Sequence, residues 1–115
     1  MYTIDIHSNG ESVLTAIDML KEAFNFGKKD KDKLLCVITG YGSSGKTHKI
    51  KTAVLEYLES NKGKSFKDYI IGSDLDIFSL KYQSFKYGSR IPDSEKRLKN
   101  PGVIYIIFWK NSVKK

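Results

Sequence analysis

The chain reads as an α/β domain: a two-layer sandwich of a mixed four-stranded sheet with helices mainly on one face, in the order β-α-β-α-β-excursion-β. Three observations predict this. Short apolar strands alternate with stretches of helical period, which implies parallel pairing with crossover helices. Two of the apolar runs are continuous rather than alternating, as in strands covered on both faces. Only two stretches have a clear helical stripe, so both helices are expected on the same side of the sheet.

Tyr2, Ile4 and Ile6 alternate with Thr3, Asp5 and His7. A period of two makes a strand with one buried face and sets Asp5 and His7 together on the other. Ser8-Asn9-Gly10 is turn chemistry. A helix follows over residues 11–26, with Val13, Ile17, Leu20 and Phe24 as its stripe and Gly27 as its C′ residue. Residues 28–33 form a charged loop, and Leu34–Ile38 is an apolar strand.

A glycine-serine loop runs from Thr39 to Gly45. The second helix covers residues 47–60, where Ile50, Ala53, Val54, Tyr57 and Leu58 keep helical spacing. Residues 66–71 predict a third strand closed by Gly72. In residues 73–100, Ile77, Leu80, Tyr82, Phe85 and Tyr87 fit either a helix or a bent strand. Pro92 and the charged run after it mark a surface excursion. Residues 103–109 form the last strand. One domain over residues 1–110 and a tail over 111–115 follow.

The formal charge is +7 at pH 7, carried almost wholly by lysine; Arg90 and Arg97 are the arginines. Such an excess favours a polyanion partner, because each neutralised phosphate releases a counterion, although a lysine-rich surface alone gives the same composition. Lysine meets phosphate as a point charge, whereas arginine supplies the fork that reads guanine. Backbone contact is therefore expected over base readout. Cys36, the single cysteine, lies in an apolar run and reads as a small core residue of a protein in a reducing compartment. The apolar runs are too short to span a bilayer, and residues 1–5 lack the pattern of a secretory leader. A cytoplasmic protein without a membrane partner is expected.

Gly40-Tyr41-Gly42-Ser43-Ser44-Gly45-Lys46-Thr47 fits the phosphate-loop pattern G-x-x-x-x-G-K-[ST] between a strand and a helix. Glycines let backbone N–H groups converge on an anion, and the helix start adds partial positive charge. Lys46 would neutralise phosphate. Nucleotide hydrolysis is disfavoured, because residues 103–109 run into Lys110 and residues 69–71 break at Gly72, so neither strand ends in an aspartate that would hold magnesium. Asp74 alone lies near such a position. A β-α unit also precedes the loop, and the chain is short for such enzymes. What is retained is a phosphate-binding loop of Thr39, Gly40, Tyr41, Gly42, Ser43, Ser44, Gly45 and Lys46. His48 and Lys49 in the first turn of the helix face either the same phosphate or water. Tyr41 either stacks on a base from the loop tip or is simply packed. Lys46, Lys49 and Lys51 crowd a helix start, where cations oppose the dipole, which points to an anion partner.

Three segments together resemble the Smr (small MutS-related) domain family. Ile4-Asp5-Ile6-His7 is similar to its L-D-x-H at the end of the first strand. Thr39-Gly40-Tyr41-Gly42 is similar to its T-G-x-G. Asn100-Pro101-Gly102-Val103 is similar to the start of the last strand in some bacterial members. The segments keep the family's order and spacing over nearly the whole chain. The resemblance implies a compact α/β sandwich that binds DNA or RNA, with members that nick DNA or cleave RNA. It implies that Asp5 and His7 sit by the scissile phosphate and that the Gly40–Gly45 loop holds a backbone phosphate. The chain departs from the family at Ser8, where a glycine is usual. It also has a single Gly102 where the family has a glycine-rich turn, and the excursion lies before it.

Chemically, Asp5 beside His7 would favour a protonated imidazole that donates to a phosphate or leaving oxygen, or would orient a neutral imidazole as a base. The expected function is nucleic-acid binding, with endonuclease activity open. The alternatives are a non-catalytic binding or adaptor module and, behind it, a nucleotide-binding phosphate loop. No cofactor and no structural metal site is expected, and a divalent metal is compatible with cleavage.

Overall fold

A computed structural model describes residues 1–6, 12–40 and 45–110. The strands are β1 (Tyr2–Asp5), β2 (Leu34–Ile38), β3 (Asp68–Ile71) and β4 (Val103–Ile107), in the spatial order β1-β2-β4-β3. β1 and β2 are parallel, joined through α1 (Val13–Lys29). α2 (Gly45–Asn61) leads from β2 towards β3, and β4 inserts between these two, antiparallel to both. The sheet is mixed and four-stranded, as the sequence predicts. Among the described residues no helix is long and apolar enough to cross a membrane.

The register assigns every central side chain to a face. Leu35 pairs with Ile106 and Val37 with Ile104, and all four point to one side. There they meet Ala16, Leu20, Ala23 and Phe24 of α1 and Ile50, Val54 and Leu58 of α2. Both long helices therefore lie on one face, and their apolar stripes supply its cover. Phe24 anchors this layer, with T-shaped contacts to Phe66 at 5.6 Å and to Phe108 at 5.4 Å between ring centres.

The boundary of α1 differs from expectation. Ser12 caps its start, accepting from the Thr15 N–H at 3.2 Å, and the helix runs on through Gly27 to Lys29. Gly27 is not a C′ residue but a packing position. A Cβ there would lie 2.4 Å from Cε2 of Phe108 and 3.1 Å from Cβ of Leu35. The missing side chain lets the helix settle directly on the sheet, and the stop falls at Asp30 instead, whose N–H donates to the Gly27 carbonyl at 3.2 Å.

The opposite face is also buried. Leu34, Cys36, Ile70, Val103, Tyr105 and Ile107 point there and are covered by Leu75 and Ile91 of the excursion, with Tyr82, Phe85 and Tyr87 half-buried around them. Residues 72–100 thus form an irregular third layer added to the helix-on-sheet pair. It contains a 3₁₀ turn Gly72–Asp74, α3 (Leu80–Ser84), a second 3₁₀ turn Gly88–Arg90 and α4 (Asp93–Leu98). Of the undecided stretch, Leu80 and Tyr82 fall in the short helix α3, and Tyr82, Phe85 and Tyr87 pack inward. Polar bonds of two excursion side chains, Glu95 and Arg90, pin the layer. The Tyr105 hydroxyl donates to Oε1 of Glu95 at 2.7 Å. The Arg90 guanidinium donates to the carbonyls of Asp32, Lys33 and Phe108 at 3.2, 3.2 and 2.8 Å.

Candidate functional site

The parallel pairing of β1 with β2 brings two distant sequence motifs to one edge of the sheet. Asp5 stands opposite Ile38, and the Ile6 N–H donates to the Ile38 carbonyl at 3.0 Å. β2 ends one residue before Thr39, where the glycine-serine loop begins. The C-terminal ends of β1, β2 and β3 and the start of β4 all lie on this edge, because β4 runs against its neighbours.

The first residues of the loop are fixed by β4. The Thr39 and Gly40 N–H groups share the Gly102 carbonyl, at 2.8 and 3.2 Å. The Thr39 hydroxyl is within reach of the Gly40 carbonyl at 3.1 Å and of the Gly102 carbonyl at 3.3 Å. With one proton it donates to one of them at a time. Thr39 is fully buried, so it shapes the loop from beneath rather than meeting a ligand. Gly40 has φ +82°, a conformation in which a side chain is strained. Gly102 is required for a different reason: a Cβ on it would lie 2.9 Å from the Gly40 carbonyl carbon. The two glycines are thus locked backbone to backbone.

Beyond the loop, α2 begins at Gly45, with Lys46 and Thr47 in its first turn, followed by His48 and Lys49, both exposed. No acidic residue lies in that first turn to offset the dipole. The first backbone N–H groups of a helix have no intrahelical acceptor, so this start can receive an anion. Asp5 is half-buried at the end of β1. His7, Tyr41, Gly42, Ser43 and Ser44 lie outside the described residues, as does the pairing of Asp5 with His7. Among the described residues no three His, Cys, Asp or Glu side chains gather as a metal site would need.

No family model, curated protein or solved structure matches the chain. The geometry of this edge therefore carries the functional reading together with the sequence motifs.

Sequence reasoning had not assigned a role at this edge to Asn100 or to Gly72. Asn100 Oδ1 accepts from the Gly102 N–H at 2.8 Å, shaping the turn that supports Gly40. A Cβ on Gly72 would lie 2.4 Å from the Asn100 carbonyl oxygen. A series of close contacts therefore runs Gly40–Gly102–Asn100–Gly72 along the edge, its middle link made by the Asn100 side chain. The signal available was weak: glycines at the ends of two strands, with nothing in the sequence to show that they touch. Asp74, the acid that the sequence offers after the third strand, follows β3. Antiparallel β4 separates it from β2 and the glycine loop.

Proposed function

We propose that this domain binds nucleic acid at the edge formed by Asp5, the Gly40–Gly45 loop and the start of α2. In this reading a backbone phosphate is held by loop N–H groups, Lys46, His48 and Lys49. The observation that carries it is the register Asp5 opposite Ile38, which joins the two motifs that resemble the Smr family. The Gly40–Gly102 contact adds support, because it fixes the residue from which the loop starts. If the domain cuts, Asp5 and His7 act on the scissile phosphate, a step with which a divalent metal is compatible. The strand order separates Asp74 from the loop by β4, so Asp74 does not serve this site.

The test is fluorescence anisotropy with labelled single- and double-stranded DNA and RNA at low and moderate salt. Affinity should fall as salt rises, with a slope of about −0.9 per duplex phosphate neutralised. Lys46→Ala should weaken binding to all sequences alike. His7→Ala should abolish cleavage while sparing affinity; binding without cleavage in the parent protein assigns the adaptor role. No binding at low salt to any of the four removes the proposal.

A further inference from the structure

The same edge continues into an exposed apolar patch. Ile77 and Phe78 are 68% and 84% exposed, on a turn that is nonetheless well tied. Asp76 Oδ1 accepts from the Phe78 N–H at 3.0 Å, the Ser79 N–H donates to the Asp76 carbonyl at 2.8 Å, and Lys99 Nζ lies 3.5 Å from Asp76 Oδ2. The turn and the end of α4 border an open groove of about 400 Å³, lined by Asp76, Ile77, Phe78 and Tyr82 together with Lys96, Arg97 and Lys99; Lys96 also pairs with Asp93 at 3.7 Å. Lys99 is the residue before Asn100, so the groove adjoins the contacts that reach Gly40.

An aromatic ring held out to solvent on an ordered turn, beside three cations and the single carboxylate of Asp76 in an open groove, matches the stacking-and-phosphate pattern of single-strand recognition. We propose that this groove is a subsite for an unpaired stretch of nucleic acid, with a base stacked on Phe78 and the adjoining phosphates on Lys96, Arg97 and Lys99. The inference rests on the nucleic-acid reading of the neighbouring loop. The planar Arg97 guanidinium adds a second surface on which a base can lie.

The experiment measures anisotropy of short labelled oligo(dT) and oligo(U), and of a duplex of matching length, with the parent protein and with Phe78→Ala, Phe78→Leu and Phe78→Trp. Phe78→Ala should weaken single-strand binding about tenfold, the loss of one stacked base. Duplex binding and Tm should stay unchanged. Phe78→Trp should restore affinity, whereas Phe78→Leu, which keeps apolar area without a ring, should not. Single-strand binding by Phe78→Ala equal to that of the parent overturns the subsite and leaves the loop reading intact. So does full affinity in Phe78→Leu, which would mark a plain apolar contact. Failure of the parent protein to bind any oligonucleotide removes both readings. Phosphatidylserine vesicles bound by the parent and lost in Phe78→Ala, with single-strand affinity untouched, would assign the groove to lipid and overturn the inference.

Discussion

The two faces of the sheet are equally buried but built differently. On one face, two long helices cover Leu35, Val37, Ile104 and Ile106 with regular stripes. On the other, an irregular segment of short helices and turns covers Leu34, Cys36, Tyr105 and Ile107, and two polar anchors from Arg90 and Glu95 hold it. A periodic element places its apolar residues on one side by geometry alone. An aperiodic one needs specific bonds to fix which residues turn inward. The helical face should therefore lose stability mainly through packing, and the excursion face through packing and polar contacts together.

The largest expected effect is on the helical face. Phe24→Ala removes a buried ring that meets Phe66 and Phe108, and should cost about 3–5 kcal/mol by denaturant unfolding. Ile91→Ala on the excursion face should cost about 2–5 kcal/mol. It should also raise hydrogen exchange in residues 72–100 before the strands. Equal exchange throughout would mean that the excursion is not a separate layer of stability.

Gly27→Ala sharpens the contrast. In an exposed helix this change gains nearly 1 kcal/mol, but here the new methyl meets the buried Phe108 ring. Overpacking of about 1–3 kcal/mol should win, giving a net loss in Tm. A raised Tm would show that α1 does not lie as close to the sheet as described.

The smallest effect concerns pH. Burial, and then the negative charge of Glu95, pushes the Cys36 thiol up to about 12, outweighing the hydrogen bond with Thr3. Burial, and then the hydrogen bond to Glu95, likewise raises the Tyr105 hydroxyl. A folded-state pKa above the unfolded value means stability is fully present below the unfolded pKa and is lost as pH rises through the folded one. For Cys36 that window runs from the ordinary value of 9.0 to about 12. Tm should fall over this range, and less steeply in Cys36→Ala. At pH 8 the thiol should react with a maleimide only as the protein unfolds. Fast labelling of the folded protein would contradict its burial.

What was legible in the sequence follows the same contrast. Ile50, Val54 and Leu58 announced a helix face because helical geometry repeats. The continuous runs in β2 and β4 announced strands covered on both sides, yet the cover for the second face was not readable, since residues 73–100 have no period. Gly27 was misread because a glycine after an apolar stripe signals a helix end equally well as a close approach. At the candidate site, Asp5 and the Gly40–Gly45 loop were legible as motifs. The contacts of Gly40 with Gly102, and of Gly72 with Asn100, were not, because they depend on β4 inserting between β2 and β3.

The location of nucleic acid on the molecule is the claim most directly open to measurement. Backbone amide shifts recorded by NMR during titration with a short oligonucleotide should move at Asp5, Ile6, Thr39, Gly40, His48, Lys49 and Gly102. The opposite edge, at Asp30–Lys33 and Lys110, should stay still. Shifts confined to that opposite edge, or none at saturating oligonucleotide, would contradict the account.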